Sequence, residues 1–340
     1  MRRKEDEGLR ITDKLPLGHK LLLAGPAFIV PLAMKGTVSG EIFLIPDYSD
    51  GGAVNEDRLL RLLTEYGVIY ELLKNMVGKE NLIVSKNKIT MSKKNIFGRR
   101  TMSLPMPKEL EVEIGSQDVP FLSEAYTSWP RDAYTVLDGR VFGVAEDWQR
   151  VAPELVTQSD LREGGKVLTR KKAILVTADI WEAQKKGEIT QLRNQGYSIG
   201  RLPLVREIKD GGTIFVEDHL DGHVSLIEDR EGNLVMVVAK SYAFQGGGTR
   251  KVIGEAANAI NAEVVEVNDE RFPPMALNML QFADRSIGVT STETGELENE
   301  LAIIVGREKV FTTPVPIQLI PEASGGGIRC LTNLVPQIKV

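Results

Sequence analysis

The sequence is poor in cysteine and aromatic residues and has no long uninterrupted apolar run. Cys330 is the single cysteine among 340 residues, so no disulfide can form within the chain, as is usual in a reducing compartment. The longest apolar stretch, residues 21–34, contains Gly25, Pro26 and Pro31 and falls short of the roughly 20 residues that a membrane-spanning helix needs. The charged residues 1–10 lead into no apolar signal core. We therefore expect a cytoplasmic protein.

The charge balance argues against a nucleic-acid or anionic-membrane surface. The net charge is -5, whereas binding to polyanions depends on a basic field. The one locally basic stretch, residues 86–100, lacks interleaved aromatic side chains and is interpreted as a solvated hairpin or loop. A composition with 42% hydrophobic and 26% charged residues is typical of a globular protein. A cationic small molecule fits this protein better than a polyanion.

Motifs for metals, nucleotides and a catalytic serine are also missing. The sequence has no Cys-x-x-Cys, no His-Glu-x-x-His and no calcium loop, although His219 and Asp221 alone could contribute metal ligands. The glycines at 246–248 have neither the Walker A nor the dinucleotide spacing, and a Gly-x-Ser-x-Gly elbow is absent. We expect no cofactor and no bound metal.

A strand, turn, strand, helix, strand pattern recurs along the chain. In its clearest copy, strands are predicted at 223–227, 234–239 and 263–267, with a helix at 251–262. Similar patterns predict three more units: 278–282, 286–290, a helix at 295–305 and 310–313; 20–23, 41–46, a helix at 55–76 and 81–84; and a partial unit at 134–137 and 140–144. Units of this kind indicate a radial array, which brings loops of different units to one central axis.

Cys330 has a distinctive local sequence. It follows a glycine triplet at 325–327, which permits close approach of a ligand, and the neighbouring Arg329 favours a thiolate if its charge lies nearby. A lone cysteine is also often a small buried apolar residue. Both interpretations remain open from these residues alone.

His219 and Asp221 are two positions apart. On an extended segment both side chains point to the same face, where an imidazole and a carboxylate suit acid-base chemistry beside a bound cation. The alternative is a solvated turn in which the acid caps the backbone. His223 competes with His219 for a catalytic role.

Two further acids precede predicted strands. Asp132 ends the Trp-Pro-Arg-Asp segment at 129–132, and Glu163 precedes Gly164 and Gly165. An acid at the start of a strand can meet a ligand. Taken alone, Asp132 is more often part of a surface ion pair with Arg131 or a turn residue, and Glu163 is also explained by an ordinary glycine turn.

Taken together, these motifs resemble those of the guanidino-group modifying enzymes, which include arginine deiminases, dimethylarginine dimethylaminohydrolases, agmatine deiminases and amidinotransferases. The resemblance covers residues 121–332, and the segment 276–281 (ALNMLQ) is also similar to a family segment. It rests on four motifs that occur in family order: Trp-Pro-Arg-Asp at 129–132, Glu-Gly-Gly at 163–165, His-Leu-Asp at 219–221 and Gly-Gly-Gly-Ile-Arg-Cys at 325–330. The resemblance implies an α/β fold, the pentein, in which ββαβ units form a pseudo-fivefold propeller around a central active-site channel.

The resemblance also implies roles for these residues. Cys330 corresponds to the nucleophile and His219 to the general acid and base, while Asp132, Glu163 and Asp221 correspond to carboxylates that bind the guanidinium. The expected function is cofactor-free hydrolysis of a guanidino compound, with arginine deimination as the leading case. The alternatives are amidino transfer from arginine to an amine, and a non-catalytic pentein such as a ribosome-binding anti-association factor.

Some features depart from the family pattern or leave choices open. Lys166 follows the Glu-Gly-Gly turn, where arginine deiminases and dimethylarginine hydrolases usually have an acid. Four arginines could bind a substrate carboxylate: Arg131, Arg250, Arg271 and Arg329. We expect one catalytic domain over residues 1–340, with a charged tail at 1–12 and a polar insertion or lid at 85–120. The expected partner is a small guanidino molecule, and family members are commonly homo-oligomers.

Overall fold

The computed structural model describes the greater part of the chain. The described residues are 14–16, 19–23, 30–38, 41–46, 56–85, 100–102, 131, 134–143, 146–157, 159, 161, 164–183, 186–209, 213–217, 219–320 and 326–336.

The described strands are short, and most of them belong to three-stranded sheets. In chain order they are β1 (Lys20–Leu23), β2 (Val30–Val38), β3 (Glu41–Pro46), β4 (Leu82–Val84), β5 (Arg100–Met102), β6 (Thr135–Leu137), β7 (Arg140–Phe142), β8 (Val156–Thr157), β9 (Val167–Arg170), β10 (Ala173–Thr177), β11 (Ser198–Leu202), β12 (Val205–Lys209), β13 (Thr213–Glu217), β14 (Val224–Glu228), β15 (Leu234–Ala239), β16 (Ala262–Val267), β17 (Leu280–Gln281), β18 (Ile287–Val289), β19 (Val310–Thr312) and β20 (Thr332–Val335).

Helices connect the strands within the sheets. The described α-helices are α1 (Glu56–Val77), α2 (Glu146–Val151), α3 (Ala178–Ala183), α4 (Lys186–Asn194), α5 (Lys240–Ala243), α6 (Thr249–Ile260) and α7 (Glu296–Val305).

Five of the sheets share one design. In each, the middle strand pairs antiparallel with one neighbour and parallel with the other. A parallel third strand requires a crossover, which the helices supply. The five sheets have the strand orders β20-β1-β4, β6-β7-β8, β9-β10-β11, β14-β15-β16 and β17-β18-β19. The protein is therefore α/β with small repeated sheets, as predicted, and each of these sheets is a separate open sheet.

The unit β14-β15-α6-β16 illustrates how local sequence sets the pattern. A turn between β14 and β15 is closed by Asp229, whose Oδ1 accepts the backbone N–H of Asn233 at 2.7 Å. Helix α6 begins after Gly248, which has φ 94°, and ends at Asn261, which also adopts the left-handed conformation. Because Asn261 ends the helix, Ala262 is free to pair with Leu234 in the sheet. The helix therefore ends before residue 262, the end predicted from the sequence.

The predicted N-terminal unit is wrong in one strand. Strand β1 pairs with β20 near the end of the described chain, whereas β3 belongs to a different sheet with β2 and β5. All but the first residue of β1 are buried, so β1 needs partners on both edges, and β20 supplies the antiparallel one. Period-two patterns predict that a strand exists but do not identify its partner.

One complete unit was missing from the predicted repeats. Strands β9, β10 and β11 with helices α3 and α4 form the same arrangement as the other four units. Every residue of β10 is buried, which produces a short continuous apolar run rather than an alternating pattern. Such a run does not distinguish a strand from a helix, which explains why this unit escaped detection.

Buried apolar side chains join neighbouring sheets. The largest cluster connects the β14-β15-β16 sheet with its two chain neighbours, and a second packs helix α1 against β1 and the segment before Cys330. Among the described helices, none is long and apolar enough to cross a membrane.

Two predicted segments lie mainly outside the described residues. The tail at 1–12 falls entirely there. Of the insertion at 85–120, the structure describes Ser85 and strand β5, which pairs with β2.

Glu65 of helix α1 anchors the chain that leads to Cys330, and its removal tests this packing. Its carboxylate accepts the backbone N–H groups of Gln318, Leu319 and Ile320 at 3.1, 3.0 and 2.9 Å. Glu65→Ala leaves these buried donors without their acceptor and should cost about 2–4 kcal/mol in urea unfolding. The matched control is Glu71→Ala on the same helix, which removes an exposed ion pair with Lys74 and should cost less than about 0.5 kcal/mol. Equal losses in the two variants would contradict this role of Glu65.

Candidate functional site

Cys330 lies in a hydrogen-bonded turn immediately before β20. The N–H of Leu331 donates to the carbonyl of Gly327 at 3.2 Å, and the hydroxyl of Thr332 donates to the carbonyls of Ile328 and Arg329. Only 3% of Cys330 is exposed. The turn thus holds the thiol inside the protein, where its chemistry is governed by a few neighbouring side chains.

Asp221 is in direct contact with the thiol. The Sγ of Cys330 lies 3.1 Å from Oδ2 of Asp221, which is completely buried at the start of the turn before β14. The other carboxylate oxygen, Oδ1, has no hydrogen-bond partner among the residues that the structure describes. A buried carboxylate oxygen without a donor is costly, so this atom is a ready acceptor for a bound cation.

Arg329 neutralises Asp221 at the same carboxylate oxygen that contacts the thiol. Its Nη1 donates to Oδ2 of Asp221 at 2.8 Å and to the carbonyl of Gly164 at 2.7 Å, while Nη2 donates to the carbonyl of Val167 at 3.0 Å. Burying a carboxylate requires such a partner, because an unpaired charge in the interior is strongly destabilising. Arg329 therefore joins three segments of the site: the cysteine turn, the Asp221 turn and the start of β9.

A second buried guanidinium lies close to this ion pair. The Nε of Arg131 donates to the carbonyl of Arg329 at 3.4 Å. Burial and the charge of Arg329 lower the pKa of Arg131 to about 9, whereas Cys330 and Asp221 act in the opposite direction. Two arginines, one carboxylate and one thiol thus share a confined space, and the two guanidiniums favour the negative forms of the carboxylate and the thiol.

His219 packs against the Gly164-Gly165 turn. A Cβ on Gly165 would collide with the imidazole of His219, and one on Gly164 would collide with the side chain of Arg131. The N–H of Leu220 also donates to the carbonyl of Gly165 at 2.6 Å. The two glycines are therefore explained by close approach of the site residues, since any side chain there would displace them.

Asp132 and Glu163 fall outside the described residues, but their chain neighbours are described and in contact. The N–H of Gly164 donates to the carbonyl of Arg131 at 3.1 Å. Of the five predicted site residues, the structure brings Cys330 and Asp221 into contact and places His219 beside the turn that Arg329 binds.

Asn278 also belongs to the site, although sequence analysis assigned it no role. Its Nδ2 donates to Sγ of Cys330 at 3.0 Å, and its Oδ1 accepts the backbone N–H of Cys330 at 3.0 Å. Only the family resemblance connects the segment 276–281 with the site. A buried asparagine just before a short strand carries no pattern that predicts its contact with a cysteine 52 positions later.

Other candidates have partners outside this cluster. Arg250 is exposed and binds Glu266, and Arg271 is exposed. The ammonium of Lys166, the residue that departs from the family pattern, lies 3.0 Å from Asp179. The His223 ring lies near Tyr242, with ring centroids 6.1 Å apart. Arg131 and Arg329 are therefore the two of the four candidate arginines that the structure brings to Cys330.

The described residues contain no cluster of three or more His, Cys, Asp or Glu side chains able to hold a metal ion. The functional groups that meet at Cys330 are its own thiol, one carboxylate, one amide and two guanidiniums. This combination is suited to binding charged organic groups.

Solved structures that are similar to this chain include the agmatine deiminase of C. jejuni, at 13% sequence identity and a TM-score of 0.51 over 96% of this chain and 98% of that chain. Others are SxtG, an amidinotransferase from Microseira wollei (10% identity, TM-score 0.49, 96% of this chain and 95% of that chain), and a Pseudomonas aeruginosa dimethylarginine dimethylaminohydrolase (12%, 0.40, 63% and 78%). No protein-family model matches the sequence, and no curated protein matches it. The likeness to the agmatine deiminase shows that this chain has the same fold, as the motif resemblance implies.

The Arg329–Asp221 ion pair makes a clear prediction for stability. Arg329→Met leaves Asp221 as an uncompensated buried charge and should cost about 3–5 kcal/mol in urea unfolding. Adding Asp221→Asn to that variant should recover part of the loss, since the stranded charge is then removed.

The matched control is Arg250→Met, which breaks an exposed pair and should cost less than about 1 kcal/mol. If the Arg329 and Arg250 variants lose the same stability, the buried pair does not hold the site together.

Proposed function

We propose that the protein is a cofactor-free thiol hydrolase of a guanidino compound and that arginine is its substrate. The observation that carries this proposal is the buried contact between Cys330 and Asp221, together with the unpartnered Oδ1 of Asp221. We further propose that the five sheets surround a central channel, as in a pseudo-fivefold propeller, with Cys330 at its wall.

The chemistry of a guanidinium explains why such a site is needed. Its central carbon is a poor electrophile because the positive charge is spread over three nitrogens. A site that hydrolyses it must localise this charge with fixed carboxylates and supply a strong nucleophile. Oδ1 of Asp221 supports the first requirement, and the buried thiol of Cys330 near the guanidiniums of Arg131 and Arg329 supports the second.

In the proposed cycle, Sγ of Cys330 attacks the guanidinium carbon. An unsubstituted nitrogen takes a proton from His219 and leaves as ammonia, and a covalent amidino-thioether remains on Cys330. Neutral His219 then takes a proton from water, which attacks the same carbon. The C–S bond breaks, the thiolate is restored and a ureido product leaves. The net reaction converts a guanidinium and water into a urea and ammonium.

The remaining carboxylates complete the proposal. We assign Asp132 and Glu163 to the guanidinium by their motifs. The hydrogen bond between Gly164 and Arg131 supports this, because it joins the two segments that carry these acids. Arg131 and Arg329 are the arginines closest to Cys330, and their charge favours the thiolate that the attack requires.

A product assay tests this function. Purified protein is incubated with arginine, agmatine and methylated arginines, with and without glycine or ornithine, and ammonia, methylamines and ureido and guanidino products are followed by mass spectrometry. Ammonia with citrulline is the expected result, and Cys330→Ala should abolish it while the circular dichroism spectrum stays unchanged.

Other outcomes would redirect the proposal. Ornithine with a new guanidino compound would make the protein an amidinotransferase, in which the alkyl nitrogen leaves and an amine replaces water. Turnover that persists in Cys330→Ala would exclude the cysteine mechanism. No turnover of any substrate would favour a non-catalytic binding protein.

The two neighbouring histidines provide a matched comparison. His219→Ala should lower kcat by about 100-fold or more, since it removes the proposed proton donor and acceptor. His223→Ala should change kcat much less, because this ring packs near Tyr242. Steady-state kinetics on the same substrate measure both, and the reverse order would mean that His223 is the catalytic histidine.

A further inference from the structure

We propose that Asn278 is a positioning residue that orients Cys330 and stabilises its thiolate through a direct hydrogen bond. The effect on the thiol follows from the geometry alone. Its consequence for turnover rests on the function proposed above.

Asn278 holds Cys330 and its neighbour at three points. Its amide contacts both Sγ and the backbone N–H of Cys330 at 3.0 Å, and its own backbone carbonyl accepts the N–H of Arg329 at 3.2 Å. Because the contacts reach two successive main-chain N–H groups just before the cysteine Cα and also the sulfur, they fix the direction of the thiol.

The orientation of the amide follows from the chemistry of its partners. A backbone N–H can only donate, so the amide oxygen must face Cys330 N and the NH₂ group must face Sγ. The sulfur therefore receives a hydrogen bond, which favours its charged form. Asp221 approaches the same sulfur with a carboxylate, which favours the protonated form. Asn278 and Asp221 thus act in opposite directions on one thiol.

The segment around Asn278 is itself rigid. Asn278 is 2% exposed, and its N–H donates to the carbonyl of Met275 at 2.9 Å. The hydroxyl of Ser225 donates to the carbonyl of Leu277. A Cβ on Gly327 would lie only 2.8 Å from the Cβ of Asn278, so the last glycine of the triplet is needed to let Asn278 reach the cysteine turn. This close contact with Asn278 explains why residue 327 is a glycine without reference to a bound substrate.

The test is the rate at which iodoacetamide alkylates Cys330 as a function of pH. Because the chain has a single cysteine, all cysteine alkylation that is measured occurs at Cys330. Asn278→Asp keeps the oxygen that accepts Cys330 N–H but replaces the donor to sulfur by an acceptor. We expect the midpoint of the rate profile to move up by about one pH unit or more, and alkylation at neutral pH to slow about tenfold.

Two further variants make the result specific. Gln281→Glu applies the same amide-to-acid change three positions along the segment, where the side chain binds the backbone of Glu228 instead of Cys330, and should leave the profile unchanged. Asn278→Ala removes both amide contacts and should shift the midpoint in the same direction as Asn278→Asp. If Asn278→Asp fails to fold, Asn278→Ala still tests the proposal.

A profile that is identical in wild type, Asn278→Asp and Asn278→Ala would overturn the proposal and leave Asn278 a purely structural residue. An equal shift in Gln281→Glu would overturn it too, because the effect would then be general to this segment. Alkylation needs no substrate, so this result is independent of the proposed function. If the protein hydrolyses a guanidino compound, Asn278→Asp should lower kcat with little change in KM.

Discussion

The buried ion pair between Arg329 and Asp221 is the interaction on which the rest of the site depends. It allows a carboxylate to lie next to a thiol in the interior without an uncompensated charge. The same guanidinium donates to the carbonyls of Gly164 and Val167 and so connects the cysteine turn to the β9 segment. Oδ2 of Asp221 makes the contacts with Arg329 and Cys330, and Oδ1 has no hydrogen-bond partner among the described residues.

The fold explains how residues so distant in sequence come together. In three of the five units a turn precedes the antiparallel outer strand: the Gly164-Gly165 turn before β9, the Asp221 turn before β14 and the cysteine turn before β20. The pairing of β1 with β20 matters most for Cys330, because β20 begins two residues after it. The cysteine turn is therefore held by a sheet on one side and by Glu65, through the segment at 318–320, on the other.

The sequence predicted local elements well and long-range partners less well. Strands at 20–23, 41–46 and 234–239 are confirmed to the residue, because alternating or apolar runs between turn residues define them locally. The partner of β1 was mispredicted, since nothing in residues 20–23 specifies β20. The proximity of Asp221 and Cys330 was anticipated through family resemblance. The Asn278 contact depends on the register between two separate segments, which a single sequence does not encode in any periodic form.

The central claim is that Cys330 forms a covalent bond to a guanidinium carbon, and the most direct measurement is to capture that bond. Protein mixed with excess arginine is quenched in acid during turnover and digested, and the peptide that contains Cys330 is analysed by mass spectrometry. The account predicts an adduct on this peptide whose mass equals arginine less ammonia, and its absence from Cys330→Ala. Turnover of arginine with an unmodified Cys330 peptide at every quench time would contradict the account.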